Sequence, residues 1–182
     1  MNDFEINEAL NMAHISVQAR STQLPLLGYD DLRAYVENRG YLTDDREALW
    51  LECIYADVDE YSKARLVFHC LGKELVMAGE DVLYLNLTTV VRAIADDAAL
   101  LRNIPHLMIG GFYDSSLGDP FTDRERADVL DLISDRRDGG VWTHFITHRH
   151  ARDTGVESWW GTRAVRNFEH NWSRVQYRGT EA

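Results

Sequence analysis

The sequence predicts an α/β fold in which a parallel sheet is flanked by helices and preceded by a short helical prefix. Three observations lead there. From Leu49 onward, apolar runs of strand length alternate with longer runs of helical periodicity, the pattern of strands joined by crossover helices. The apolar run Leu51-Glu52-Cys53-Ile54-Tyr55 passes through a polar stretch to Lys63 and a long helical run, giving a strand–loop–helix order. Thr122-Asp123-Arg124-Glu125 has the spacing of a capping box, and Gly139-Gly140 closes the helix that it opens.

Taken in order, residues 3–20 place Phe4, Ile6, Leu10, Ala13 and Val17 near helical spacing, so an amphipathic first helix is expected. Ser21 to Gly28, with Pro25, reads as a connection, and Asp30 to Glu37 as a second short helix ending near Gly40. Residues 1–45 are thus a helical extension and 46–182 the α/β domain. Expected strands are Leu49–Tyr55, Asp81–Asn86, His106–Ile109 and Val141–Thr147. Expected helices are Tyr61–Met77, Thr89–Ile94, Thr122–Arg137 and Trp159–Phe168, with no internal repeat or low-complexity segment.

A chain of 182 residues, 45% hydrophobic and 27% charged, is of single-domain size and ordinary globular composition. No apolar run approaches the roughly 20 residues of a membrane helix, and the start, Met1-Asn2-Asp3-Phe4-Glu5, lacks the basic residues of a secretory signal. Cys53 and Cys70 lie in apolar segments and read as buried, reduced thiols, so a cytoplasmic setting is expected. The net charge of −11 argues against non-specific nucleic-acid binding. The charge is uneven: residues 1–135 carry 11 basic and 25 acidic side chains, and residues 136–182 carry 8 and 5. That basic tail suggests an acidic partner, self-association, or a weak contact with single-stranded DNA.

The loop before Lys63 is where chemistry would reside. A phosphate-binding loop reads G-x-x-x-x-G-K-S/T, because its backbone N–H groups must converge on phosphate oxygens. Aligned on Lys63, Asp57 stands at the first glycine, Ser62 at the second, and Ala64 at the hydroxyl that would hold magnesium. Asp57, Asp59 and Glu60 would repel a triphosphate.

Several segments, in this order, resemble the DnaC/IstB-type helicase-loader ATPases, a branch of the AAA+ P-loop proteins. They are Leu71-Gly72-Lys73-Glu74-Leu75 running into Gly79–Leu85, then Thr88–Ile94, Leu132–Arg137, Phe145-Ile146-Thr147, Gly161-Thr162-Arg163 with Arg166, and Asn171–Val175. The likeness spans Leu49 to Tyr177 and implies a P-loop NTPase-like (AAA+/RecA-like) sheet. It also implies a third strand ending in acidic residues that hold magnesium, where this chain has Gly110 and Gly111. The sensor strand it implies ends here in Thr147, His148 and Arg149. Asp114, three residues beyond Gly111, is a displaced carboxylate that could substitute. Phosphoryl transfer needs a phosphate cradle, a metal site and an oriented water, and all three are altered.

Other groupings carry less. His144, His148 and His150 share strand parity, but no carboxylate or cysteine completes a metal site at a convincing spacing, so no metal and no ATP or magnesium cofactor is expected. Nucleophilic catalysis has no signature. Arg136, Arg137, Trp159, Trp160, Arg163 and Arg166 are the interaction candidates, since tryptophan and arginine anchor interfaces; Trp159 and Trp160 beside Gly161 are expected to be partly exposed. The sequence therefore predicts a non-catalytic helicase-loader-like protein, phage-encoded, that binds the replicative helicase or its loader. The alternatives are a divergent but active ATPase and a DNA-binding accessory factor.

Overall fold

A computed structural model describes residues 2–22, 48–55, 58–115, 120–150 and 155–178. The expected helix from Asp30 to Glu37 and the loop residue Asp57 lie outside them. The elements are α1 (Asp3–Met12), α2 (Val17–Ser21), β1 (Ala48–Tyr55), α3 (Val58–Met77), β2 (Val82–Asn86), α4 (Leu87–Asp97), α5 (Ala99–Asn103), β3 (His106–Asp114), α6 (Asp123–Asp138), β4 (Trp142–His150), α7 (Glu157–Asn171) and β5 (Trp172–Arg178). The strands form one five-stranded sheet in the order β2-β3-β4-β1-β5, and every neighbouring pair is parallel.

Strand alternation divides the apolar residues between two cores. On one face Leu49, Leu51 and Cys53 of β1 join Met108, Ile146 and Val175, covered by Ala64, Phe68 and Leu71 of α3. The prefix belongs to this same core: Leu10, Ile15 and Ala19 are buried in it, and Tyr84 N–H of the edge strand β2 donates to Ala13 O at 3.0 Å. The prefix so covers backbone donors that an edge strand otherwise leaves open. On the other face Trp50, Ile109, Phe112 and Phe145 pack under α6 and α7, through Val129, Ile133, Trp160 and Phe168. Each large apolar side chain buried here stabilises by about 1.5–3 kcal/mol.

Local rules account for α6. Thr122 Oγ1 accepts from Glu125 N–H at 3.3 Å and Glu125 Oε2 accepts from Thr122 N–H at 2.8 Å. Acidic residues occupy its first turn and basic ones its last, both favoured by the helix dipole. Three sequence expectations change. The helix before β2 begins at Val58 rather than Tyr61; acidic residues such as Asp59 and Glu60 suit a first helical turn. β3 does not end at Ile109 but continues to Asp114 through a register shift between Ile109 and Tyr113. A fifth strand, Trp172–Arg178, pairs with β1; its arginines and glutamine disguised it as a polar tail.

Candidate functional site

In an open parallel sheet, ligands meet the crevice at the carboxyl ends of the strands. There β1 ends at Tyr55 and α3 begins at Val58, so two residues connect them. Lys63 is consequently the sixth residue of a helix and not a loop residue. N–H groups beyond a helix's first turn are bonded within the helix, so Ser62, Lys63 and Ala64 present no cradle of backbone donors. Ser62 and Lys63 are exposed, whereas Ala64 is fully buried in the core. The helix expected from Tyr61 thus begins three residues earlier, at Val58, and carries Ser62, Lys63 and Ala64 within it.

At the end of β3, Gly110 is enclosed. A Cβ there would collide with the Tyr84 hydroxyl and come within 3.0 Å of Asn86 Oδ1, so the position that would carry the metal-holding carboxylate has no room for a side chain. Gly111 has φ +65°, a left-handed conformation that glycine adopts without strain. Burial pushes the Tyr84 hydroxyl pKa upward, opposed by the Arg65 guanidinium beside it. Asp114 does return a carboxylate to this end of the strand. Its Oδ1 lies 3.1 Å from His148 Nδ1, with both residues buried, beside a cavity of about 200 Å³ lined by Asn86, Thr88, Gly111 and Trp159.

The sensor-strand residues are spent inside the protein. Thr147 Oγ1 accepts from the Trp50 indole N–H at 2.8 Å. Arg149 Nε donates to Glu52 Oε1 at 2.8 Å. Glu52 is 1% exposed, and its other oxygen accepts from Arg174 Nη2 at 2.8 Å and Gln176 Nε2 at 2.9 Å. Arg174 also lies 4.5 Å over the Trp50 ring and reaches Glu169 at 3.2 Å. One buried carboxylate thus joins β1, β4 and β5. Sequence reasoning missed this cluster, although a glutamate inside Leu49-Trp50-Leu51-Glu52-Cys53-Ile54 was its signal: a buried charge requires partners.

The histidines do not converge. His144 and His148 point to one face but sit about 13 Å apart along β4 at the usual strand rise, and the His150 side chain lies outside the described set. His144 Nδ1 accepts from Leu49 N–H at 3.0 Å, and its Nε2 lies 3.0 Å from His106 Nδ1. Burial, then His106 and Arg136, hold its pKa well below the ordinary histidine value. Among the described residues no cluster of three or more His, Cys, Asp or Glu is arranged to hold a metal.

The interaction candidates divide. Arg136 is no surface cation: it is fully buried, donating to Thr143 Oγ1 at 2.8 Å, Ile104 O at 2.9 Å, and the carbonyls of Leu101 and Trp142. Burial lowers its pKa to about 10, so it stays charged at neutral pH. The expected exposure of Trp159 and Trp160 is corrected too, since they are 8% and 6% exposed. Trp160 stacks on Phe112 with centroids 4.4 Å apart and donates from its indole to Phe112 O at 2.8 Å. An apolar ring with one satisfied donor is suited to the interior. Arg137, Arg163 and Arg166 are exposed, and Arg137 and Arg163 border a groove between α6 and α7.

No protein-family model matches the chain, and no curated protein sequence matches it. Solved structures do match in fold. The DnaC helicase loader superposes with a TM-score of 0.64 at 11% identity, covering 88% of this chain and 99% of that one. DnaI gives 0.57 at 12% identity, covering 93% and 89%, and AMPPCP-bound DnaA from Aquifex aeolicus gives 0.60 at 12%, covering 88% and 50%. The chain therefore shares the fold of these solved structures, a five-stranded parallel sheet flanked by helices. No helix among the described residues is long and apolar enough to cross a membrane.

Proposed function

We propose that this chain is a non-catalytic, helicase-loader-like protein that binds a DNA replication component, the replicative helicase or its loader, in the cytoplasm and modulates it without ATP. The observation that supports this most is the two-residue connection from β1 to α3. A triphosphate is held by converging backbone donors at a glycine-rich loop, and here Ser62, Lys63 and Ala64 lie within a helix with Ala64 in the core. The enclosed Gly110 and the Arg149–Glu52 pair add to it. A subunit of this shape occupies a place in an ATPase assembly while its own firing is disabled.

The test has two arms. Calorimetric titration with magnesium-ATP is expected to show no binding, and immobilised full chain is expected to retain purified replicative helicase or its loader. Magnesium-dependent ATP affinity that disappears in Lys63→Ala sinks the non-catalytic reading. A second reading, a divergent ATPase, is favoured by the Asp114–His148 pair beside its cavity. It requires ATP turnover that Asp114→Asn abolishes.

A further inference from the structure

The groove between α6 and α7 combines two features that rarely coincide on this acidic molecule. Its floor is apolar, with the half-buried Leu130 of α6 and Ala164 of α7 lying over the buried Ile133, Trp160 and Phe168, and its rim carries Arg137 and Arg163. α7 bends at Gly161, where φ is 76° and ψ 152°. After the bend, Arg163 and Asn167 are one helical turn apart, as are Ala164 and Phe168, so the rim and floor stripes run side by side. Arg137 Nη1 donates to Asn167 Oδ1 across the groove at 3.3 Å, while its other nitrogens bond Asp138. Arg163 is exposed. Among the described residues no acidic side chain lines the space, whose volume is about 550 Å³.

We propose that this groove receives an acidic segment of a partner protein, with an aliphatic or aromatic anchor set on the floor and carboxylates paired with Arg163 and Arg137. The proposal rests on the reading that the chain works by binding, and it names the chemistry of what is bound. Charge complementarity selects the partner: on a chain that carries −11 overall, this rim exposes the Arg163 guanidinium, with Arg137 beside it shared with Asp138. Arginine presents a planar fork that matches a carboxylate, and arginine beside buried aromatic surface is the composition of an interface hot spot. Nucleic acid fits less well, because its affinity comes from many phosphate contacts and the groove offers two arginines over an apolar floor.

The probe is a library of short random peptides displayed on phage and selected against the immobilised full chain. Enriched sequences are expected to place Asp or Glu around an apolar residue. A fluorescein-labelled peptide of that consensus should bind saturably, and Arg163→Glu should weaken it about tenfold with the circular dichroism and melting temperature unchanged. Ala164→Arg, which fills the groove, should weaken it as well. Selected peptides without acidic bias, equal binding by Arg163→Glu, or displacement of the peptide by a single-stranded oligonucleotide at equal concentration each overturn the proposal. So does concentration-dependent self-association that Arg163→Glu abolishes, because the occupant is then a second copy. Helicase capture undiminished by Arg163→Glu removes the groove while leaving the binding function standing. Peptide binding without capture of helicase or loader does the reverse.

Discussion

At the amino end of the sheet, Arg136, His144 and His106 lie buried; at the carboxyl end, Glu52 is buried with Arg149 and Arg174 around it. The two ends hold similar polarity but satisfy it differently. The amino end works mainly through neutral partners, with the Glu80 carboxylate 3.6 Å from His106 Nε2 at its rim. Leu49 N–H donates to His144 Nδ1, which places the His144 proton on Nε2, facing His106, and Arg136 spends its donors on carbonyls and a hydroxyl. The carboxyl end works through opposite charges from three strands. In open parallel sheets ligands approach the carboxyl end, and there Arg149 already faces an internal carboxylate. The comparison teaches that buried polarity alone does not mark a ligand site; the question is whether its partners are already inside.

Glu52→Gln should break this arrangement most severely. It leaves Arg149 without its counter-charge and Arg174 with Glu169 alone, and should cost about 3 kcal/mol in urea unfolding, the low end for a broken buried pair because both arginines retain some solvent. A loss below 0.5 kcal/mol, the range of an ordinary surface change, would mean that the cluster is not what ties β5 to β1. Gly110→Asp, which reinstates an acidic residue on β3, should cost about 2 kcal/mol through its collision with Tyr84. A Tyr84→Phe background should recover part of that loss; equal loss in both backgrounds would remove the steric explanation.

A smaller effect sharpens the comparison from the histidine side. Burial and then Arg65 hold the His69 pKa near 4 against an ordinary 6.5, and His144 is depressed in the same direction. A group whose folded pKa is lowered binds its proton more readily when unfolded. Its contribution is therefore complete above pH 6.5 and is lost as the pH falls toward 4. Urea midpoints measured from pH 7 to pH 4 should decline through that window, less steeply in His69→Gln. A flat profile would place charged histidines in the folded state.

Local signals were the legible part. Strand and helix alternation, the capping box at Thr122 and the apolar face of α6 all depend on neighbours within a few residues, and the corresponding elements formed where expected. The strand β5 was hidden because Arg174 and Gln176 look solvated in sequence, while in the fold they serve Glu52. Arg136 was read as a surface cation for the same reason: the carbonyls of Leu101 and Ile104 that receive it come from an element more than thirty residues away. Trp159 and Trp160 looked exposed beside a glycine, and the bend at Gly161 instead turns both indoles inward.

By itself, the amino-acid order determined the α/β class, the order of β1 to β4 with α3, α4, α6 and α7 but not the short α5, and the substitution of residues that a phosphate loop and a metal site would require. Those follow from periodicity, capping and residue type, which act over short distances along the chain. Tertiary structure alone decided that the helix expected from Tyr61 starts at Val58, that Tyr84 fills the space above Gly110, and that Glu52 gathers Arg149, Arg174 and Gln176. These depend on which strands become neighbours, and buried charges and crowded glycines take their meaning only from what the fold sets against them.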